Sequence, residues 1–433
     1  MMSDKGPPNG KRVVIIGAGF AGIAVARELG SAAADVTLID RQNYHLFQPL
    51  LYQVATAALS PADIAEPVRR MLRGQSNAQI MLGQVAGISP ADNRVTLADG
   101  ATLAYDILVV AAGATHAYFG HDDWEEFALS LKTIDDARSI RSALLLSFER
   151  AETSKDPDER KRLMTFVVVG GGPSGVELAS SIAELARHAL AKDFHRIDSR
   201  STTVLLLEAG PRILSAFPDT LSRYAVRKLT ALGVIVRESC AVKNISRNCV
   251  ETDGERIPVG LAIWAAGVKA SPVGKLLGVK TDKSGRVEVD SRLSVPGLAN
   301  VYALGDVALV RDRKGRPLPG LAQVAKQEGQ YLGRVLAKSI RSGAAVPPFV
   351  FHDRGNAAII GRHAAVVDFG RLRLTGMAAW LLWALIHIYL LAGLQHRLLV
   401  AIQWLWRYVT YDRGARLIME PNSAACHDEG EAG

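Results

Sequence analysis

Two glycine-rich segments with the same spacing could each hold the pyrophosphate of a dinucleotide. Their glycines are Gly17, Gly19 and Gly22 in the first segment and Gly170, Gly172 and Gly175 in the second. Each segment follows a short β-branched run and precedes a helical pattern. In this arrangement the first glycine permits a tight turn, the second lets the backbone approach phosphate, and the third lets the helix pack on the strand. We therefore expect two dinucleotides, FAD and a nicotinamide nucleotide, in one chain.

An acidic residue ends the strand that follows each glycine segment. Asp40 lies 18 residues after Gly22. Glu208 lies 33 residues after Gly175, so extra helix and loop must be inserted between residues 187 and 201. Such a carboxylate accepts hydrogen bonds from ribose hydroxyls. A 2′-phosphate beside Glu208 would be repelled by about 1 kcal/mol in water and about 4 kcal/mol near a protein surface, so we expect NADH rather than NADPH.

Three further strand ends supply candidate nucleotide contacts. The run Ile107–Val110 and the pair Ile263–Trp264 are each followed by Ala-Ala-Gly. Gly305 and Asp306 follow a third predicted strand, where they could touch the pyrophosphate or ribityl chain of a flavin nucleotide. The remaining predicted contacts are Phe20, Ala21, Ala112 and Gly113 for FAD, and Ala266 and Gly267 for NADH.

The same order of elements occurs twice, about 150 residues apart, which indicates a duplicated α/β domain and not a solenoid. The predicted strands are Val13–Ile16, Val36–Ile39, Ile107–Val110, Phe166–Val169, Val204–Leu207 and Val301–Leu304. The predicted helices are a stretch ending near Leu29, Asp135–Glu152 and Val176–Leu190. Hairpin strands are expected within residues 80–103, and the charged segment Lys155–Arg162 is predicted to be a linker.

Composition narrows the functional classes further. The 433 residues are 48 % hydrophobic and 22 % charged, which is typical of a globular chain of two or three domains and excludes a disordered or collagen-like one. The net charge of +8 does not by itself select a partner. Cys240, Cys249 and Cys426 form no CxxC motif, and residues 44–56 contain no cysteine, so a dithiol electron acceptor is excluded. We expect no metal site, and residues 1–10 lack the apolar core of an export signal.

The chain resembles the type II NADH:quinone oxidoreductases, which are single-subunit, non-pumping flavoenzymes of respiratory chains. The resemblance runs from Arg12 to about Ile418. Its most specific element is Ala322–Gln327, the AQxAxQ pattern that this family uses for the quinone site beside the flavin. The supporting segments are Asn43–Gln53, Gly172–Glu177 and Trp264–Val268.

The resemblance implies an α/β fold with two Rossmann-like dinucleotide-binding domains and a C-terminal helical membrane-anchoring module. The implied division is 1–120 and 291–370 for FAD, 121–290 for NADH, and 371–433 for the membrane-associated helices and tail. Gln323 and Gln327 would line the quinone pocket, Glu177 would lie near flavin and nicotinamide, and Arg362 near the quinone. The residues alone are compatible with this, because Gln323 and Gln327 share a helix face and Glu177 is expected in a first helical turn, where a carboxylate is favoured.

The composition becomes strongly apolar from Thr375 onward. Met377–Leu394 is an 18-residue apolar run, roughly 27 Å long as a helix against roughly 30 Å of hydrocarbon, so hydropathy alone allows one transmembrane helix. The following segment, with Trp404, Tyr408 and flanking Arg397, Arg407, Arg413 and Arg416, predicts an interfacial amphipathic helix. One stripe of this helix is mainly polar and contains His396, Val400, Gln403 and Arg407. Its apolar residues lie elsewhere on the helix and are Leu398, Leu399, Ile402, Leu405, Trp406 and Val409. A buried helix pair in a soluble protein remains the alternative.

The favoured hypothesis is an enzyme that passes hydride from NADH to FAD and two electrons to a membrane quinone, without proton pumping. A sulfide:quinone oxidoreductase would need cysteines at the flavin, and a soluble ferredoxin or rubredoxin reductase would leave the apolar tail unexplained. A membrane protein that senses nicotinamide nucleotides without turnover is a further alternative. The resemblance implies a homodimer attached to the bilayer surface on the cytoplasmic side of the inner membrane, and no nucleic-acid partner is expected.

Overall fold

The computed structural model describes residues 10–343, 347–391, 393–410 and 413–419; Cys426 lies outside them. The chain divides into two compact units. Unit 1 consists of Met1–Leu46, Ala65–Thr115 and Val268–Arg354. Unit 2 consists of Phe47–Ile64, His116–Gly267 and Gly355–Gly433. Each unit contains one of the two glycine segments and is described by itself.

The regular elements of the described residues follow in chain order. The strands are β1 (Lys11–Ile16), β2 (Ala34–Asp40), β3 (Tyr44–Leu46), β4 (Ala65–Pro67), β5 (Ala78–Leu82), β6 (Val85–Ser89), β7 (Arg94–Leu97), β8 (Thr102–Ala104), β9 (Ile107–Val110), β10 (Ala114–His116), β11 (Ala128–Ser130), β12 (Thr165–Val169), β13 (Thr203–Leu207), β14 (Val234–Arg237), β15 (Val242–Ser246), β16 (Cys249–Thr252), β17 (Glu255–Pro258), β18 (Leu261–Trp264), β19 (Val268–Ala270), β20 (Val287–Glu288), β21 (Val301–Ala303), β22 (Ala308–Leu309), β23 (Asn356–Ile359), β24 (Ala365–Asp368) and β25 (Arg373–Thr375). The α-helices are α1 (Phe20–Glu28), α2 (Leu51–Ala55), α3 (Pro61–Ile64), α4 (Val68–Met71), α5 (Ile134–Thr153), α6 (Pro157–Leu163), α7 (Pro173–Glu184), α8 (Asp219–Ala231), α9 (Ala322–Ser342), α10 (Gly376–Leu390) and α11 (Leu394–Thr410).

Unit 1 is built on a parallel sheet of order β21-β9-β1-β2-β5. Val13 to Ile16 of β1 are at most 4 % exposed, because a parallel strand in the middle of such a sheet is covered on both faces and needs a continuous apolar run. Helix α9 lies directly against α1. A Cβ added at Gly329 of α9 would come within 2.3 Å of the Ala21 carbonyl oxygen, so only glycine permits this close approach.

Unit 2 repeats this architecture with a parallel sheet of order β11-β18-β12-β13-β14. The central strand β12 is entirely buried, whereas in β1 only Val13 to Ile16 are buried. Two antiparallel sheets complete the unit, one of β15, β16 and β17 and one of β23, β24 and β25. The second of these leads into α10 and α11.

The predicted strands are confirmed within one or two residues, and so is the predicted helix Asp135–Glu152, which is α5. Its start is fixed by a capping box between Thr133 and Asp136. The prediction that Lys155–Arg162 is a linker is wrong, because α6 occupies most of it. Asp156 caps this helix by accepting the Asp158 backbone N–H, and Pro157 stands at its first position.

The predicted helix Val176–Leu190 is α7 followed by a different geometry. Helix α7 ends at Glu184, and Leu185–Ala189 forms one π-helical turn. A 3₁₀ turn at Ser199–Ser201 then precedes β13. This turn and the loop before it are the inserted helix and loop that the spacing between Gly175 and Glu208 predicts.

The apolar run Met377–Leu394 is not one helix. Helix α10 ends at Leu390, and α11 begins at Leu394. Within the described residues, no helix has the length and apolar content needed to cross a membrane. The predicted amphipathic helix is confirmed as α11. Its predicted apolar residues are exposed, from 41 % for Leu399 to 70 % for Val409, whereas Val400 of the other stripe is buried.

Candidate functional site

The first glycine turn lies between β1 and α1 in unit 1. Gly17 has a φ of +104°, and a Cβ on it would come within 2.3 Å of the Ala111 carbonyl oxygen. A Cβ on Gly22 would come within 1.8 Å of the Gly17 carbonyl oxygen. Gly19 differs from both, because a Cβ there would meet nothing within 4 Å. Two of the glycines are thus required by the turn and its packing, and Gly19 faces open space.

Asp40 is the last residue of β2 and closes this turn. Its Oδ2 accepts the Ala18 backbone N–H at 2.6 Å, and its Oδ1 accepts the Gln42 N–H at 2.8 Å. His45, a residue that the glycine pattern did not single out, is within 2.9 Å of the Ala18 carbonyl oxygen through Nδ1. It packs edge-on against the Phe20 ring at 4.9 Å, and burial lowers its pKa. Asp40 therefore binds the N–H of Ala18, and His45 contacts both the Ala18 carbonyl oxygen and the Phe20 ring.

The second glycine turn lies between β12 and α7 in unit 2 and has the same geometry. Gly170 has a φ of +110°, and its Cβ would come within 2.6 Å of the Ala266 Cα. A Cβ on Gly175 would come within 1.9 Å of the Gly170 carbonyl oxygen, and one on Gly172 would meet nothing within 4 Å. Ala266 and Gly267 follow β18 here, as Ala112 and Gly113 follow β9 in unit 1.

Glu208 follows β13 directly and binds the second turn as Asp40 binds the first. Its Oε2 accepts the Gly171 N–H at 2.6 Å, and its Oε1 accepts the Gly210 N–H at 2.6 Å. Arg212, the nearby cation in sequence, donates to the Phe217 and Ser215 carbonyl oxygens. Its guanidinium therefore binds backbone oxygens. The charged group that binds the glycine turn is the carboxylate of Glu208.

Both turns fit a dinucleotide. Across the residues that the structure describes, no side chain caps the start of α1 or α7, and neither helix has an acidic residue in its first turn. The first-turn N–H groups and the positive end of the helix dipole are thus available to phosphate. The open space at Gly19 and Gly172 lets a pyrophosphate approach the backbone.

The turn at Gly305–Asp306 is held by a buried carboxyl that sequence reasoning missed. Glu328 of α9 is 1 % exposed, and its Oε2 accepts the Gly305 N–H at 2.6 Å. Gly305 has a φ of +73°, which favours glycine. Burial raises the pKa of Glu328 to about 8. The helical period of buried Val324, Glu328 and Leu332 is the sequence signal that could have revealed it.

Gln323 and Gln327 share one face at the start of α9, as predicted. The Gln327 amide binds the His352 backbone twice, donating from Nε2 to the carbonyl oxygen at 2.9 Å and accepting the N–H on Oε1 at 3.0 Å. Gln323 Oε1 accepts the Arg354 N–H at 3.2 Å. Both glutamines therefore hold residues 352–354 of unit 1 against α9, and the quinone contact remains a prediction.

Glu177 lies in α7 but not in its first turn, so the expectation of a first-turn carboxylate is wrong. It is 8 % exposed, and its Oε1 accepts the Ile359 N–H of β23 at 3.4 Å. Burial raises its pKa to about 8. At neutral pH this carboxyl is therefore mostly protonated, and it can hold or release a proton.

Arg362 lines a cavity of about 120 Å³ in unit 2. Its guanidinium carbon lies 4.4 Å above the Tyr408 ring, and its backbone N–H donates to Glu184 Oε1 at 2.5 Å. Arg413 lines the same cavity and is 7 % exposed. It donates to the Thr56 carbonyl oxygen at 2.8 Å. Arg413 follows α11 in the chain, as predicted, and its side chain is bound inside the unit.

The chain is similar to several known proteins. The family profile described as pyridine nucleotide-disulphide oxidoreductase matches residues 11–329. Type II NADH:quinone oxidoreductase Ndh of Mycobacterium tuberculosis is 40 % identical to the chain, over 97 % of this chain and 92 % of that protein. NdhA of the same organism, which has the same descriptive name, is 41 % identical over 94 % of this chain and 89 % of its own. The solved structure of NDH2 from Plasmodium falciparum in complex with NADH matches with a TM-score of 0.86 at 21 % identity, and the match covers 95 % of this chain and 100 % of that one. This last likeness is one of fold.

Proposed function

Because the chain belongs to the pyridine nucleotide-disulphide oxidoreductase family and, within it, to the type II NADH:quinone oxidoreductases, we propose that it oxidises NADH and reduces a membrane quinone through bound FAD. When bound, FAD supplies the hydride acceptor and the two-electron donor of this reaction. The observation that carries the proposal is the recurrence of one turn geometry, each with its own carboxylate, in two separate units.

We assign FAD to unit 1. The first-turn N–H groups of α1 would face its pyrophosphate beside Gly19. Each Asp40 oxygen accepts one backbone N–H and retains a lone pair for a ribose hydroxyl. Gly305 and Asp306 would contact the pyrophosphate or ribityl chain, with Glu328 fixing their backbone. Phe20, Ala21, Ala112 and Gly113 complete the proposed FAD contacts.

We assign NADH to unit 2 on the same grounds. Gly172 would lie under the pyrophosphate, Ala266 and Gly267 beside the nicotinamide nucleotide, and Glu208 would bind the adenosine ribose. The charge of Glu208 favours NADH over NADPH, because a 2′-phosphate would meet a carboxylate whose two oxygens are already directed by the Gly171 and Gly210 amides.

Three side chains are proposed for the reaction itself. Glu177, with its pKa near 8, would hold a proton close to the reacting rings and exchange it as charge develops there. Gln323 and Gln327 would line the quinone pocket. Each amide nitrogen has two hydrogens and each amide oxygen two lone pairs, so a carboxamide bound to residues 352–354 retains capacity for a quinone oxygen.

We further propose that the protein attaches to the bilayer surface through α10 and α11, as a homodimer on the cytoplasmic side of the inner membrane. What supports attachment is the outward apolar face of these helices, on which Leu385, Leu405 and Trp406 are each at least 63 % exposed. Each such side chain contributes about 1.5–3 kcal/mol when it leaves water, so a few suffice. A lipid-soluble quinone could then enter from the same surface.

Steady-state NADH oxidation by the purified, FAD-containing protein tests this function. We expect NADH loss that depends on added short-chain quinone, with NADPH oxidised much more slowly. If flavin absorbance is bleached by NADH but NADH loss does not continue when quinone is present, the protein senses nicotinamide nucleotides without turnover and the proposed reaction is wrong.

A further inference from the structure

The cavity that Arg362 lines in unit 2 has aromatic walls. Trp380 and Trp383 of α10 and Trp404 and Tyr408 of α11 line it. Trp383 and Trp404 are stacked with ring centroids 5.3 Å apart, and Trp380 lies 5.6 Å from the Tyr408 ring. The volume of about 120 Å³ admits one ring or one compact polar head, not an acyl chain.

The charged lining of this cavity is mainly cationic. Arg362, Arg407 and Arg413 contribute three guanidinium groups, and among the described residues that line the cavity Glu184 is the one carboxylate. Both Glu184 oxygens are in use, Oε1 by the Arg362 backbone N–H and Oε2 by Arg413 Nη2 at 3.4 Å. Burial lowers the pKa of Arg407 only to about 10, so it stays charged at neutral pH. The lining therefore has an excess of positive charge.

One acceptor in the lining, the side-chain oxygen of Gln53, is shared by two donors. Gln53 Oε1 already accepts from Trp404 Nε1 at 2.9 Å and from Arg407 Nη2 at 3.0 Å. Over the described part of the chain, Arg407 Nε and Trp383 Nε1 are shielded from solvent and have no hydrogen-bond partner. A buried donor without a partner costs about 1–3 kcal/mol. A molecule that carries negative charge would offset the arginine charge of the lining.

The helices that form the aromatic walls point to the source of that molecule. On α10, Leu381 and Leu385 are 57 % and 66 % exposed, and on α11, Leu398 and Leu405 are 56 % and 66 % exposed. This apolar surface suits acyl chains, whereas the cavity suits a phosphate with its adjoining glycerol. Phosphate oxygens are preferred partners of guanidinium groups.

We propose that the cavity binds the head group of an anionic phospholipid, whose phosphate oxygens accept from the arginines of the lining. The acyl chains extend along the apolar face of α10 and α11. This site rests on the proposed membrane attachment and adds a chemical preference to it, because a specific anionic lipid then fixes the two helices against unit 2.

The test uses the purified holoenzyme in detergent and short-chain lipids that are soluble as monomers. Dihexanoyl phosphatidylglycerol is titrated against tryptophan fluorescence and thermal unfolding temperature, because three tryptophans line the cavity. We expect saturable quenching and stabilisation. Phosphatidylcholine of the same chain length carries no net charge on its head group and is expected to bind at least about tenfold more weakly.

Matched variants locate the site. Arg407→Gln should weaken phosphatidylglycerol binding about tenfold, since it removes a charge-assisted donor. Arg397→Gln removes the same charge from the same helix, outside the cavity lining, and should leave binding unchanged within about twofold. Trp383→Phe replaces the indole of this lining residue by a smaller aromatic ring without a donor, so weaker binding in this variant supports the proposal even if Arg407→Gln does not fold.

Each alternative occupant has its own outcome. If glycerol phosphate alone competes as well as the lipid, the cavity is a site for a free anion and the lipid assignment is wrong. If Arg407→Gln binds lipid normally but loses quinone turnover while NADH still reduces the flavin, the cavity serves the quinone instead. Sedimentation with vesicles separates the two levels of proposal: failure of the unaltered protein to sediment contradicts membrane attachment itself, whereas sedimentation without phosphatidylglycerol preference contradicts only the head-group site.

Discussion

In unit 1 the carboxylate that ends β2 accepts the N–H groups of Ala18 and Gln42, and in unit 2 the carboxylate after β13 accepts those of Gly171 and Gly210. Both turns begin at a glycine with φ above +100°, and both leave open space at the second glycine. The shared geometry is that of a phosphate-binding turn. FAD and NADH both contain a pyrophosphate, so the same turn geometry suits either nucleotide.

The surroundings of the two turns differ. In unit 1 the Gly305–Asp306 turn is fixed by Glu328, and His45 packs against Phe20, so the site has additional fixed walls. In unit 2 the corresponding buried carboxyl, Glu177, binds the Ile359 N–H of β23 and not a turn beside the glycines. A site with more fixed side chains around it suits a cofactor that stays bound. A site with fewer suits a nucleotide that must exchange at every turnover.

The largest expected effect comes from filling the open space in each turn. Gly19→Val should abolish FAD retention, and Gly172→Val should leave FAD bound but slow its reduction by NADH at least about a hundredfold, because the side chain occupies the phosphate position. Flavin content and single-turnover reduction measure the two effects. Equal loss of FAD in both variants would contradict the assignment of one nucleotide to each unit.

Changing the two carboxylates sharpens the same comparison. Glu208→Gln should raise the ratio of NADPH to NADH efficiency about tenfold, since the repulsion of a 2′-phosphate is removed. Asp40→Asn should weaken FAD binding and leave that ratio unchanged. The measurement is kcat/KM for both nicotinamides, and an unaltered ratio in Glu208→Gln would refute the role of this residue.

A smaller effect is expected at the quinone side of unit 1. Gln327→Ala removes both hydrogen bonds to the His352 backbone and should lower kcat/KM for quinone about fivefold. Flavin reduction by NADH should remain nearly intact. Gln330→Ala, less than one turn further along α9, is the control. If flavin reduction falls as much as quinone turnover, the quinone pocket is elsewhere.

The last prediction concerns stability and not turnover, through the dependence of the free energy of unfolding on pH. The pKa of Glu177 and of Glu328 is about 8 in the folded protein, above the ordinary value of 4.5, so the folded state holds these protons more tightly. The free energy of unfolding therefore decreases as pH rises from about 5 to 8, by up to about 1.4 kcal/mol per unit for each carboxyl.

Glu177→Gln and Glu328→Gln should each weaken this dependence. At pH 8 the Tm of each variant should exceed that of the unaltered protein, because the variant buries no charge. The difference should be roughly 2–4 °C for each kcal/mol that burial of the charge costs, and it should be smallest at pH 5. Thermal unfolding of the FAD-bound proteins at both pH values provides the check. Parallel shifts at the two pH values would show that neither carboxyl titrates in this range.

Local sequence features predicted the strands, the glycine turns and both closing carboxylates, because each depends on neighbours within one βαβ segment. The many charged residues of Lys155–Arg162 are typical of a linker, so the sequence pattern did not predict α6. Asp156 and Pro157 nevertheless form a helix start signal. The break after Leu390 was hidden inside an apolar run in which neither charge nor proline marks a boundary.

The contacts that depend on distant segments could not be predicted. Glu177 binds the Ile359 backbone 182 residues away, and Arg407 binds Gln53 at a separation of 354 residues. Nothing in the spacing of either residue indicates its partner, since a single sequence contains no record of which segments meet. The arginine-lined cavity is accordingly a finding of the structure.

The central claim is that one chain joins an NADH site to a quinone through bound FAD, and sequential anaerobic mixing tests it most directly. We expect that the purified protein contains FAD, that one equivalent of NADH bleaches the flavin absorbance, and that a short-chain quinone added second restores it. A protein that neither contains nor takes up FAD, or whose bleached flavin is not reoxidised by any quinone, would contradict the account.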